Sequence, residues 1–196
     1  NIENVNPQAV FYLLDIREQA IEEVFRWERP EVVLHHAAQV SVQESFANPL
    51  YDASTNVIGS LNVFENCVRY GVQKVIYASS AAVYGEPCYL GIDEAHPIAP
   101  LSCYGLSKYT PELYLQVLNA TYGLRFTVLR YANVYGPRQV ANGEEGVVAV
   151  FFTKLMHGEA PVIFGDGQQT RDFIFVGDVV AANLQALKRG DGAVIN

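Results

Sequence analysis

Apolar residues in this chain come in continuous runs rather than in strict alternation. "AVFYLLDI" (9–16), "EVVLHHAA" (31–38), "KVIYASS" (74–80) and "RFTVLRYANVYGP" (125–137) are four such runs. A strand with one face in water alternates apolar and polar residues, whereas a strand buried on both faces does not. Between the runs, apolar residues recur at helical spacing. Ala20, Ile21, Val24 and Phe25 share one side of residues 17–29, and Pro30 ends that segment. "NVIGSLNVFENCVRYG" (56–71) repeats the pattern and closes on Gly71, a C-cap signal. A third helix is expected over about 104–121. Buried strands alternating with helices specify an α/β fold, a doubly wound parallel Rossmann-like sheet covered on both faces.

Beyond Pro137 the pattern loosens. "RQVANGEEG" (138–146) is polar and loop-like, and "VVAVFFTKLMHG" (147–158) is helical in pattern. Residues 160–190 read as a strand, a turn at Gly165 to Gly167, a second strand and a helix from about Asp178. The chain opens without Met and closes on the apolar "GAVIN", so a piece of a longer chain is expected.

Composition narrows the function classes. A net charge of −8 with no basic run argues against a nucleic-acid surface, which needs clustered Lys and Arg. No apolar stretch reaches the length of a membrane span. Cys67, Cys88 and Cys103 are odd in number and lack metal-ligand spacing. They read as reduced thiols, which points to the cytoplasm.

In parallel sheets, ligands bind outside the carboxyl ends of the strands. Asp15, the His35/His36 pair, Ser79 with Ser80, and Asn133 all stand at such ends. Tyr104 and Lys108 are four apart on the expected helix, so they share a face. An ammonium beside a phenol lowers the phenol's pKa, so the pair can supply a base near neutral pH. The plainer reading is an aromatic–aliphatic contact on a surface helix. Ser80 can orient a ligand hydroxyl beside Tyr104, or simply cap a turn. His35 and His36 have no partners at zinc spacing, so no metal is expected.

Ser80, Tyr104 and Lys108 resemble the Ser and Tyr-x-x-x-Lys set of the short-chain dehydrogenase/reductase superfamily. The ordered motifs "HHAAQVSV", "SSAAVYGE", "YGLSK", "RYANVYGPRQ" and "GDGQQTRDFIFVGDV" are similar to its extended branch, the NAD-dependent nucleotide-sugar epimerases and dehydratases. The resemblance covers essentially the whole chain. It implies NAD as cofactor, with Ser80, Tyr104 and Lys108 as catalytic residues. It implies adenine contacts from Asp15 and Ile16, and ribose and phosphate contacts from Ala37, Ala38 and Gln39. Asn56 would fix that turn and the catalytic helix. Ser79, Tyr104, Lys108 and Tyr131 would meet the cofactor. Ser80, Tyr104, Asn133, Val147 and Arg171 would meet the sugar nucleotide, Arg171 gripping the diphosphate. Arg171 could instead form an ion pair with Asp172, and Asp15 could be a helix cap.

The resemblance also implies a division of the chain. Residues 1–137 would be part of the NAD-binding domain, 138–171 part of a smaller substrate-binding region, and 172–196 a return to the first domain. The sheet would be incomplete at its N-terminus, since no Gly-rich pyrophosphate turn occurs here. The expected partners are a nucleotide sugar of the UDP-hexose type and, for the full-length protein, a second copy in a homodimer. Nucleic acid and membrane are not expected.

Among related reactions, 4,6-dehydratases carry Asp-Glu just after the strand-end hydroxyl. Here those positions are Ala81 and Ala82. C4 epimerisation through a 4-keto intermediate is therefore expected. The alternatives are another epimerase, a reductase or decarboxylase, or an inactive NAD-binding regulatory protein. Pro111, seven residues after Tyr104, is expected to kink the helix and deprive the Ser107 carbonyl of its usual partner.

Overall fold

The computed structural model describes residues 2–139 and 146–196. Its centre is a four-stranded, all-parallel sheet. The strands are β1 (Val32–His35), β2 (Lys74–Ser80), β3 (Arg125–Tyr131) and β6 (Ala193–Ile195), and their spatial order is β1-β2-β3-β6. β2 is buried along almost its whole length, which explains its unbroken apolar run.

Helices cover both faces. Val75, Tyr77, Phe126 and Val128 point to one side. There they pack with Phe25 of α1 (Ile21–Glu28), Phe64 and Cys67 of α4 (Ser60–Arg69) and Leu115 of α5 (Cys103–Tyr122). Ile76 and Leu129 point to the other side and meet Ala182 and Ala186 of α7 (Val176–Ala186). Two short helices, α2 (Val42–Ala47) and α3 (Pro49–Ala53), precede a π-helical stretch, Ser54–Gly59, that leads into α4. The expected helix at 56–71 thus belongs to a longer helical path.

β4 (Asn133–Tyr135) pairs in parallel with β5 (Phe173–Phe175) in a separate two-stranded sheet. The excursion between them carries α6 (Val147–Met156). The loop expected at 138–146 lies largely outside the described residues.

Three expectations are corrected. Residues 9–16 form no strand. A strand needs a neighbour to take its backbone hydrogen bonds. Within the described residues none flanks 9–16, and Leu13 is 87% exposed. Residues 160–164 likewise carry turn-free irregular backbone rather than a strand, and Phe164 is exposed. The helix expected from Asp178 starts at Val176. Pro111 sits buried inside α5, which runs as one element of 20 residues.

Candidate functional site

β2 ends on Ser80. Its Oγ accepts from the Ala82 N–H at 3.1 Å and caps a 3-10 turn, Ala81–Val83. That turn lies hard against the start of α5. A Cβ on Gly105 would come within 2.5 Å of the Ala82 carbonyl, so only glycine lets the two approach. Ser102 caps the helix, accepting from the Gly105 N–H at 2.9 Å. Tyr104 therefore stands in the first turn of α5, beside the Ser80 turn. Lys108 follows one turn later and is buried.

The lysine rests on β2. Its Nζ lies 4.7 Å from the centroid of the Tyr77 ring, and Tyr77 Oη donates to the Lys108 carbonyl at 3.1 Å. Burial pulls the Lys108 pKa down to about 8, against the opposing pull of Glu112 and Asp52. At neutral pH the ammonium survives, and a one-turn separation from Tyr104 makes it a source of positive potential for a phenolate.

A buried polar hub ties this helix to the turn after β1. The Asn56 amide accepts from the Gln39 N–H at 2.8 Å and donates to the Gln39 carbonyl at 2.9 Å. It also donates to Ser107 Oγ at 3.0 Å and to Asp52 Oδ1 at 3.2 Å. The Gln39 amide donates to the same Asp52 oxygen at 2.8 Å. His35 completes the hub. Ser60 donates its hydroxyl proton to the Asn56 carbonyl at 2.5 Å, so its oxygen accepts from His35 Nε2 at 2.9 Å. Burial, helped by Lys108 and His36, pushes His35 down to about 3, and the ring is neutral.

A second buried network runs behind Ser80. Ser79 Oγ donates to Glu112 Oε1 at 2.5 Å. Glu112 is held by a two-pronged ion pair with Arg130, at 3.1 and 2.6 Å. Arg130 donates to Tyr84 Oη at 2.8 Å, and Tyr84 donates to Asn196 at 2.6 Å. The Ser79 side chain is thus turned into this network. Glu112 was not singled out from sequence. The signal was there, because it continues the Tyr104–Lys108 face at the next i+4 step.

Of the other residues, Ala37, Ala38, Gln39 and Tyr131 lie at or just after the carboxyl ends of β1 and β3, whereas Asp15 closes no strand and Asn133 opens β4 instead of closing β3, against the expectation that both stand at strand ends. Ala37 and Ala38 leave the backbone after β1 uncovered, and Gln39 is buried. Tyr131, at the end of β3, receives a hydrogen bond from Asn183 at 2.7 Å and meets His36 Nε2 at 3.2 Å. Asn133 bonds the Asp172 carbonyl through both its backbone and its side chain. Asp15 pairs with Arg17 at 2.6 Å, which lowers its pKa to about 2, and Ile16 lies against Gly59. Val147 opens α6. Arg171 is exposed and, among the described residues, donates only to the neighbouring Thr170 carbonyl and forms no ion pair with Asp172. Among the described residues no three His, Cys, Asp or Glu side chains could hold a metal ion.

Comparison with known proteins gives the family. The profile of the NAD dependent epimerase/dehydratase family matches residues 2–196. The chain belongs to the NAD dependent epimerase/dehydratase family. Within that family it is 50% identical over 188 residues to a putative UDP-glucose 4-epimerase of Methanocaldococcus jannaschii, covering 95% of this chain and 62% of that one. The UDP-glucose 4-epimerase of Thermotoga maritima, solved with UDP-glucose, superposes with a TM-score of 0.96 at 47% identity, covering 99% of this chain and 64% of that one. The Thermus thermophilus UDP-glucose 4-epimerase, solved with NAD, gives 0.93 at 41% identity, with 99% and 65% covered. The chain spans less than two thirds of the length of these family members.

Proposed function

We propose that the protein containing this chain is an NAD-dependent epimerase that inverts C4 of a UDP-hexose, of the UDP-glucose/UDP-galactose type. The observation that carries the reading is the close approach of the start of α5 to the end of β2. Ser80 closes β2, Gly105 lets α5 start against the Ser80 turn, and Tyr104 and Lys108 follow on that helix one turn apart. The absence of carboxylates at Ala81 and Ala82 favours epimerisation over dehydration.

The donor set fits NAD. The uncovered backbone at Ala37 and Ala38, the buried Lys108 ammonium and the Tyr131 hydroxyl are donors suited to ribose, phosphate and nicotinamide groups. Asp15, Ile16, Gln39, Asn56 and Ser79 complete that side of the proposal as contacts or supports. NAD, when bound, accepts and returns the hydride. Tyr104, as phenolate, takes the proton from the sugar C4 hydroxyl and later gives it back. Lys108 favours the phenolate by its charge. Ser80 orients the same hydroxyl. Asn133, Val147 and Arg171 hold the nucleotide sugar. The excursion 138–171 is then part of the substrate region, between the return at 172–196 and the 1–137 domain.

An apolar stripe of Leu50, Tyr51, Leu113 and Val117 on α3 and α5 is exposed and supports a homodimer of the full-length protein. Three free cysteines and no helix, among the described residues, long and apolar enough to cross a membrane fit a cytoplasmic enzyme. The test is incubation of the full-length protein with UDP-glucose, UDP-N-acetylglucosamine or UDP-glucuronate, followed by NMR. C4 inversion of UDP-glucose is the expected product, and turnover of none of the three refutes the reading.

A further inference from the structure

Asp52 is a buried acid with no cation in contact. Its side chain is 1% exposed. Oδ1 accepts from Gln39 and Asn56, but Oδ2 has no hydrogen-bond partner. Among the described residues no Lys, Arg or His forms an ion pair with it. The other buried acid near the site, Glu112, is by contrast neutralised by Arg130. A buried charge without compensation costs several kcal/mol, so a nearby opposite charge is needed to balance it. A cation that Asp52 influences is Lys108, itself buried and without an ion-pair partner among the described residues. The link runs from Asp52 through the Asn56 amide to Ser107, the residue before Lys108. Ser107 Oγ also donates to the Tyr104 carbonyl at 3.0 Å, so the link reaches the first turn of α5 as well.

We propose that Asp52 is a positioning residue whose uncompensated charge holds the Lys108 ammonium in place, in its protonated form, one helical turn from Tyr104. Other titratable groups lie around Lys108. Glu112 and Tyr104 share its helix, His35 and His36 come from the end of β1, and Tyr77 comes from β2. Of the acids, Glu112 is occupied by Arg130, which leaves Asp52 as the unspent negative charge. The direction of its influence agrees, since Glu112 and then Asp52 raise the Lys108 pKa against the larger lowering by burial. The Asp52–Asn56 spacing of four residues puts both side chains on one face of the helical path. One acid can therefore serve the turn after β1 through Gln39 and the catalytic helix through Asn56.

Asp52→Asn is the informative change, because the amide oxygen still accepts from Gln39 and Asn56 while the charge is lost. Two measurements on the full-length protein test it. The first is the pH dependence of kcat/KM. Asp52→Asn is expected to move its alkaline limb down by about one pH unit, because Lys108 gives up its proton more readily. A purely structural role would lower kcat/KM equally at every pH, and an unmoved limb overturns the proposal. This measurement rests on the epimerase reading.

The second does not rest on that reading, so the two failures can be told apart. Melting temperatures are compared for wild type, Asp52→Asn, Lys108→Met and the double variant. Balance of the two charges predicts that Asp52→Asn lowers the melting temperature by at least ~4 °C more when Lys108 is present than when it is Met. If Asp52→Asn alone does not fold, the double variant is expected to recover the fold. Additive effects, or a double variant no more stable than Asp52→Asn, overturn the proposal.

Discussion

The end of β2 and the start of α5 come together because two local devices meet. Ser80 caps the turn that ends β2, and Gly105 admits that turn against the first residues of α5. Of the two roles its sequence allowed, the structure shows the cap, and the orienting of a ligand hydroxyl belongs to the proposal. Ser80→Ala is expected to cost about 1 kcal/mol of stability through the lost cap, with a smaller loss of turnover than removal of the Tyr104 hydroxyl. Urea unfolding and steady-state rates check the two parts, and a Ser80→Ala rate below that of Tyr104→Phe would reverse the division of roles. Arg171 offers its guanidinium to solvent with only the Thr170 carbonyl as partner. Arg171→Ala is expected to raise KM for the nucleotide sugar at least ~10-fold with kcat nearly kept, as loss of uniform binding does. An unchanged KM removes Arg171 from the binding surface. The residues at strand ends were legible because polar groups closing an apolar run stand out. Asp52 was not, because its environment is completed by Gln39, which only the folded chain brings to it.

At the scale of elements, α5 is fixed to the sheet by the Ser79–Glu112–Arg130 network and to the turn after β1 by Asn56. Arg130→Met leaves the Glu112 charge buried and unpaired, so it is expected to destabilise by roughly 3–5 kcal/mol. Urea unfolding reads this, and a loss under about 1 kcal/mol contradicts a structural role for the pair. His35 sets an acid limit. Its folded pKa, about 3, lies below the ordinary histidine value of 6.5. Below 6.5 the unfolded chain binds the proton and the folded chain does not. The stabilisation from neutral His35 is therefore full above 6.5 and is lost as pH falls from there towards about 3. His35→Asn is expected to flatten the melting temperature across that window, and an unaltered slope would show that other groups set it. The long elements were legible because their periodicity is strong, as at 74–80 and 103–122. The run at 9–16 misled because apolar composition specifies burial, not pairing. The π-helical stretch before α4 was illegible because its one-residue widening leaves no compositional mark.

For the whole molecule, the sheet order β1-β2-β3-β6 places the carboxyl ends of β1, β2 and β3 side by side. That layout sets the turn after β1, which carries Gln39, and the strand ends at Ser80 and Tyr131 along one edge of the sheet. The fold class was legible from the alternation of buried strands and helices. The separate β4–β5 pair was not, because three-residue strands 40 positions apart carry no local signal. Residues 1–196 expressed alone are expected to self-associate, since Val10, Leu13 and one edge of β1 lie uncovered. Analytical ultracentrifugation checks this, and a stable monomer at micromolar concentration contradicts it.

The central claim is that Tyr104 is the base of a C4 epimerisation. The most direct measurement is the rate of UDP-glucose inversion by the full-length protein and its Tyr104→Phe variant, followed by NMR, with nucleotide-sugar affinity measured in parallel. The expected result is inversion by the wild type and a loss of about 10²-fold or more in the variant, with affinity kept. A variant that inverts UDP-glucose at close to the wild-type rate would contradict it.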